Sequence, residues 1–130
     1  MYKHQISSAS FIIALGIILG AFGAHGLKAQ FDTQSAEWFH TAWQYHMVQG
    51  LGLLAMGLWT KNKAKQGFRW VYRAGVWGLV LFSGSLYSMS IAQAIASAYP
   101  HFLVFITPLG GILMVLFWIG LGIKSYQSRY

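Results

Sequence analysis

From Ile6 to Ala24 the chain carries no charged side chain, and uncharged runs recur at Val76–Ala98 and Leu103–Ile123. A helix rising about 1.5 Å per residue needs about 20 mostly apolar residues to cross a hydrocarbon core of about 30 Å. Each of these runs meets that length. Only 8% of the 130 residues are charged, against roughly 25% in a soluble domain, which excludes an ordinary water-soluble globule. With no cysteine there is no disulfide framework, thiolate metal site or cysteine nucleophile. The +7 formal charge does not indicate nucleic acid, because such binders display their bases on a soluble face, and here the bases lie between apolar runs.

A fourth crossing is less evident. The apolar stretch Leu51–Trp59 is too short to span, and extending it back to Thr41 imports Gln44, His46 and Gln49. Lipid offers such groups no hydrogen-bond partner, so the extension predicts that they face other helices. Charge placement requires an even number of crossings. One face receives Lys3, then Lys61, Lys63, Lys65, Arg69 and Arg73, then Lys124 and Arg129, whereas the other receives Lys28 alone. Basic residues in short loops stay on the cytoplasmic side. The expected architecture is therefore an all-α integral membrane protein of a single domain, residues 1–130. It is a four-helix transmembrane bundle with spans near 6–26, 38–59, 70–98 and 103–123, in a bacterial cytoplasmic membrane, with both termini cytoplasmic. The charge bias argues against dual topology. Lys3 before an apolar run suggests a secretory signal, but that run is longer than a signal's apolar region, so retention is expected. Trp59, Trp70, Tyr72 and Trp77 are placed near one interface, and Trp38, Phe39, Trp43 and Tyr99 near the other.

Small residues suggest how the helices meet. Gly16, Gly20 and Ala24 recur every four residues and predict a groove along one face of the first helix, permitting close backbone approach. In the third helix, Ser83, Tyr87 and Ser90 share a face. Ser85 adds a further hydroxyl, and such groups contribute roughly 0.6 to 2 kcal/mol each when they bond within a membrane bundle. In the fourth, Pro108 lacks an N–H and crowds the preceding turn. Either the helix kinks there, or Thr107 caps a new helix begun by Pro108.

Three motifs resemble a known family: Gly20-Ala21-Phe22-Gly23-Ala24-His25-Gly26-Leu27, Leu81-Phe82-Ser83-Gly84-Ser85-Leu86-Tyr87, and Thr107-Pro108-Leu109-Gly110-Gly111. In order and layout the chain is similar to the domain of unknown function 423 family, which includes eukaryotic proteins of the transmembrane protein 256 type. The resemblance implies a four-helix membrane protein with no established activity and gives no catalytic residues. It departs in two places. Family members often carry a His at the position aligned with Gln49, whereas the imidazole here is at His46; and Phe117 stands where a Gly commonly precedes the Trp matched by Trp118.

Ionisable residues gather after the first helix: His25, Asp32, Glu37, His40 and, deeper, His46. Glu37 and His40 share a helix face, and carboxylate with imidazole suits a divalent metal; a di-iron bundle needs a second Glu-x-x-His and more carboxylates. His25, Glu37 and His40 are the weak metal candidates, with a helix-start role for Asp32 and Glu37 as the ordinary reading. A haem between His25 and His46 requires a cavity that the glycines of the first helix oppose. No cofactor is expected. His46 is expected to bond Gln49 or a serine of the third helix. No carboxylate lies mid-membrane for proton-coupled export, and no Gly-x-Ser-x-Gly or Ser-x-x-Lys pattern marks a hydrolase.

The resulting expectation is a non-enzymatic structural or accessory protein whose partners are membrane lipids, its own copies or another membrane protein. The basic run from Lys61 to Arg73 suits anionic head groups. Candidate ligand or packing residues are His25, His46, Gln49, Ser83, Ser85, Tyr87, Thr107, Pro108, Gly110 and Gly111. A transporter would use the groove between the third and fourth helices and show a wet cavity reaching Thr107, Ser83 or His46. A metal protein centred on His25 would bring three of the five ionisable groups within ligand distance.

Overall fold

The computed structural model describes residues 2–62 and 68–128. Lys63, Lys65 and Arg129, counted above for orientation, lie outside them. Four long helices follow one another: α1 (Tyr2–Ala21), α2 (Thr33–Trp59), α3 (Phe68–Ala96) and α4 (Leu103–Gln127). There is no strand among the described residues. Three segments are long and apolar enough to cross a membrane, Lys3–Gly26, Phe68–Ala96 and Leu103–Gln127. The 27-residue α2 has the length, but its polar residues keep it out of that set.

The helix ends have local causes. Past Ala21 the chain widens into a π-turn, Phe22–Gly26, closed by Leu27 N–H on Phe22 O at 2.9 Å. A short 3-10 turn, Lys28–Gln30, follows. Asp32 caps α2, its carboxylate accepting from Ser35 N–H at 2.7 Å, so α2 starts ahead of the expected span. The chain leaves α3 through Ser97, whose φ of 53° lies in the left-handed region that commonly ends a helix. α4 runs unbroken through Pro108. Thr107 does not cap a new helix: its hydroxyl donates to Leu103 O at 3.2 Å.

Consecutive helices pack antiparallel. One end of the molecule, here the hairpin end, holds the α1–α2 and α3–α4 connections; the other, the tail end, holds the termini. α2 and α3 are the inner helices, α2 packing on α1 and α3, and α3 on α2 and α4. At the tail end Ala9, Leu53, Met56, Val71 and Phe117 form one apolar core, and at the hairpin end Phe39, Ala42, Leu86, Tyr87 and Met89 form another. Phe39 thus belongs to the interior and not to an interfacial belt. The remaining apolar surface is outward; Phe11 and Phe105 are 73% and 76% exposed, which suits a lipid solvent and not water.

Glycine sets how closely the helices approach. A Cβ on Gly78 would lie 2.7 Å from Met114 N, and one on Gly110 would lie 2.8 Å from Leu81 C and meet the Phe82 backbone. α3 and α4 therefore touch backbone to backbone, the form of association that yields most in lipid.

Candidate functional site

The α1–α2 seam interlocks rings with glycines. Gly16 and Gly20 of α1 and Gly23 of the π-turn form a groove; on α2, His46, Trp43 and Phe39 fill it. A Cβ on Gly16 would lie 2.5 Å from Met47 Sδ and 3.3 Å from His46 Nε2, one on Gly20 would lie 2.6 Å from Trp43 Nε1, and one on Gly23 would strike the Phe39 ring. The expected third member, Ala24, is exposed, and Gly23 takes its place because seven residues beyond Gly16 is nearly two whole helical turns.

The open space serves hydrogen bonding. Trp43 Nε1–H donates to Gly16 O at 2.9 Å. His46 Nε2 lies 2.7 Å from Ile12 O and Nδ1 lies 3.0 Å from Tyr87 Oη. A carbonyl only accepts, so Nε2 carries the hydrogen, and the Nδ1 lone pair of neutral imidazole receives the Tyr87 O–H. His46, only 3% exposed, therefore ties α1, α2 and α3 together. Its partners are not those expected, Gln49 or a serine, because Gln49 projects toward α4. Gln49, fully buried, accepts from Trp118 Nε1 at 2.9 Å and approaches Gly75 O at 3.4 Å. Gln44 does not turn inward as expected; it is exposed, since two residues of helix rotate it about 200° from His46.

The hydroxyl face of α3 meets α2. Ser83 donates to Ala42 O at 2.8 Å and Ser90 to Ser35 O at 2.6 Å. Ser85 faces α4, paired with Thr107 Oγ1 at 2.6 Å. At the tail end Tyr72 and Ser8 both donate to Gln5 O, at 2.8 and 3.2 Å, and their hydroxyl oxygens lie 2.6 Å apart. Thr60 donates to Gln5 Oε1 at 3.0 Å.

Among the described residues, two of the grooves bear on function. One, about 680 Å³, is shared by α2, α3 and α4, with Tyr45 and Val48 from α2, Phe82 from α3, and Pro108, Gly111 and Trp118 from α4 helping to line it. Its walls are almost wholly apolar, and Thr107, Ser83 and His46 are not among them. The second, about 840 Å³, lies at the hairpin end beside the α1–α2 seam. It is lined by apolar side chains, among them Ile17, Ala21, Phe31 and Phe39, and by the polar Lys28, Asp32, Thr33 and His40. Ser35, through its side chain and its N–H, lowers the Asp32 carboxyl below the usual carboxylate range, so a carboxylate shares this groove with the Lys28 side chain. Lys28 and Trp43, a groove residue and an interhelical donor, were missed as site residues; Lys28 was signalled as the lone base on its face.

His25 does not approach the interior: it is exposed on the π-turn, as Glu37 and His40 are on α2. No three His, Asp or Glu among the described residues gather as a metal set would, and both nitrogens of His46 are spent on Ile12 and Tyr87. The haem pairing of His25 with His46 fails on the same geometry.

Residues 19–111 match the family model described as "Protein of unknown function (DUF423)". The chain is 38% identical over 118 residues to "UPF0382 membrane protein YwdK" of Bacillus subtilis, covering 88% of this chain and 87% of that one. It is 34% identical over 113 residues to a "UPF0382 membrane protein" of Haemophilus influenzae, at 87% and 86% coverage. A more distant relative, "UPF0382 inner membrane protein YgdD" of Escherichia coli, is 29% identical over 102 residues, at 78% and 73% coverage. No solved structure matches. With the motif regions around Gly20, Ser83 and Thr107 all inside the matched segment, this helical chain belongs to the DUF423 family, membrane proteins of unknown function.

Proposed function

We propose that the chain is a non-enzymatic structural or accessory component of the cytoplasmic membrane, crossing it four times with both termini in the cytosol. In this reading its open grooves accept lipid, a second copy or another membrane protein. The observation carrying it is how the interior polar groups are spent. His46, Trp43, Ser83 and Ser90 each end on a backbone carbonyl of another helix. Side chains so committed hold helices together and leave no relay for a substrate or proton.

Several features support the fourth crossing and the orientation. At 27 residues, α2 is about 40 Å long, and turning His46 and Gln49 inward removes its largest desolvation costs. Eight bases on one face against Lys28 on the other match a cytoplasmic tail end, and the Escherichia coli relative is named an inner membrane protein. The absence of cysteine makes the test direct. Single-cysteine variants Ala29→Cys, Lys61→Cys and Ser128→Cys are treated in intact cells with a membrane-impermeant maleimide. Labelling at Ala29→Cys alone is expected. Labelling of either other variant before lysis, or recovery of folded monodisperse protein without detergent, overturns the reading.

A further inference from the structure

The two grooves differ in what they can recognise. The groove shared by α2, α3 and α4 presents carbon almost throughout and distinguishes no head group. The hairpin-end groove combines apolar side chains with side chains of opposite charge, Lys28 and Asp32. Its wall from Ile17 of α1 to Ala24 of the π-turn is about 10 Å long, enough for the upper part of an acyl chain laid against Ala21 and Phe39. Lys28 and Asp32 line the same groove. Lys28 is a point cation suited to a phosphate. Asp32 accepts from Ser35 N–H on one carboxylate oxygen and also from the Gln93 side chain; two carboxylate oxygens offer about four lone-pair sites, so capacity is left to accept from an ammonium. Trp38 and Tyr99 pack edge to face at 5.1 Å at this end, as aromatic rings do at the head-group level.

We propose that this groove is a selective site for a phospholipid whose head group carries both a phosphate and a primary ammonium, the phosphate at Lys28 and the ammonium at Asp32. The proposal rests on membrane residence, the first element of the reading above, and is independent of which face of the membrane this end occupies. A glycerol head group offers no cation to Asp32. A choline head group offers a cation with no N–H to donate.

The test uses the full chain in mild detergent, presented with equal amounts of phosphatidylethanolamine, phosphatidylglycerol and phosphatidylcholine and read by native mass spectrometry. The wild-type chain is expected to retain phosphatidylethanolamine about threefold or more over either competitor, as two partly exposed charge pairs allow. Asp32→Asn keeps a capping side chain and is expected to abolish the preference over phosphatidylglycerol. Lys28→Gln is expected to lower retention of all three lipids, and Ala24→Trp to block the groove. Equal retention of the three lipids by the wild type overturns the proposal without any variant, as does a preference unchanged in Asp32→Asn. A lipid-free dimer also overturns it, assigning the groove to a second copy. Each of these results leaves the maleimide pattern intact, so failure here is distinct from failure of the four-span reading.

Discussion

His46 and Gly110 show how single positions carry this structure. The imidazole bridges three helices by using both nitrogens. Tyr87→Phe removes the donor to Nδ1 while preserving the ring packed at 5.1 Å against Phe39. That variant is expected to lose about 1–2 kcal/mol, the range for buried interhelical hydrogen bonds, measured by reversible unfolding in mixed micelles. His46→Ala costs more, because it also strands Tyr87 Oη and opens a cavity beside Gly16. At Gly110 any Cβ meets the Phe82 backbone, which has no rotamer to yield, whereas a Cβ on Gly84 meets nothing within 4 Å. Gly110→Ala is expected to cost about 1–3 kcal/mol as overpacking does, and Gly84→Ala to be neutral or to stabilise by up to about 1 kcal/mol through helix propensity. The same unfolding measurement separates the pair.

At the scale of elements, α2 is decisive because it is the least apolar of the four helices and the one whose start is chemically fixed. Asp32 caps it, and Ser35 holds the Asp32 carboxyl below its ordinary value of 3.8. A carboxylate whose folded pKa is depressed contributes stability above the unfolded value and loses it as pH falls through the folded one. Thermal stability in detergent is therefore expected to fall with acidification below about pH 4, and that acid-dependent portion is expected to vanish in Asp32→Asn. An Asp32→Asn variant with the wild-type acid profile counts against the cap as its source. The cap was legible in the sequence as a carboxylate before a helix. That α2 begins well before its apolar stretch was less so, because the hydropathy signal weakens where Glu37 and His40 face outward.

For the whole molecule, burial against protein and exposure to lipid give opposite mutational consequences for the same residue type. Phe117 is fully buried between α4 and its neighbours, and Phe105 is 76% exposed. In a bilayer, Phe117→Ala is expected to cost about 3–5 kcal/mol through the cavity it leaves, while at Phe105→Ala lipid fills the space and the cost stays below about 1 kcal/mol. Equal costs at both sites would falsify this lipid-facing assignment of the outer surface. The long uncharged runs and the bias of the bases are local or compositional properties, so the sequence alone determined helical structure, membrane residence and the helix-packing face of Gly16 and Gly20. Which groups meet is another matter. That His46 reaches Ile12 and Tyr87, that Gln49 turns to Trp118, that Gly23 replaces Ala24, and that Lys28 and Asp32 line one groove all depend on the register between two helices. In lipid that register is chosen by close backbone approach and paired polar groups, properties of two surfaces together that neither helix encodes by itself.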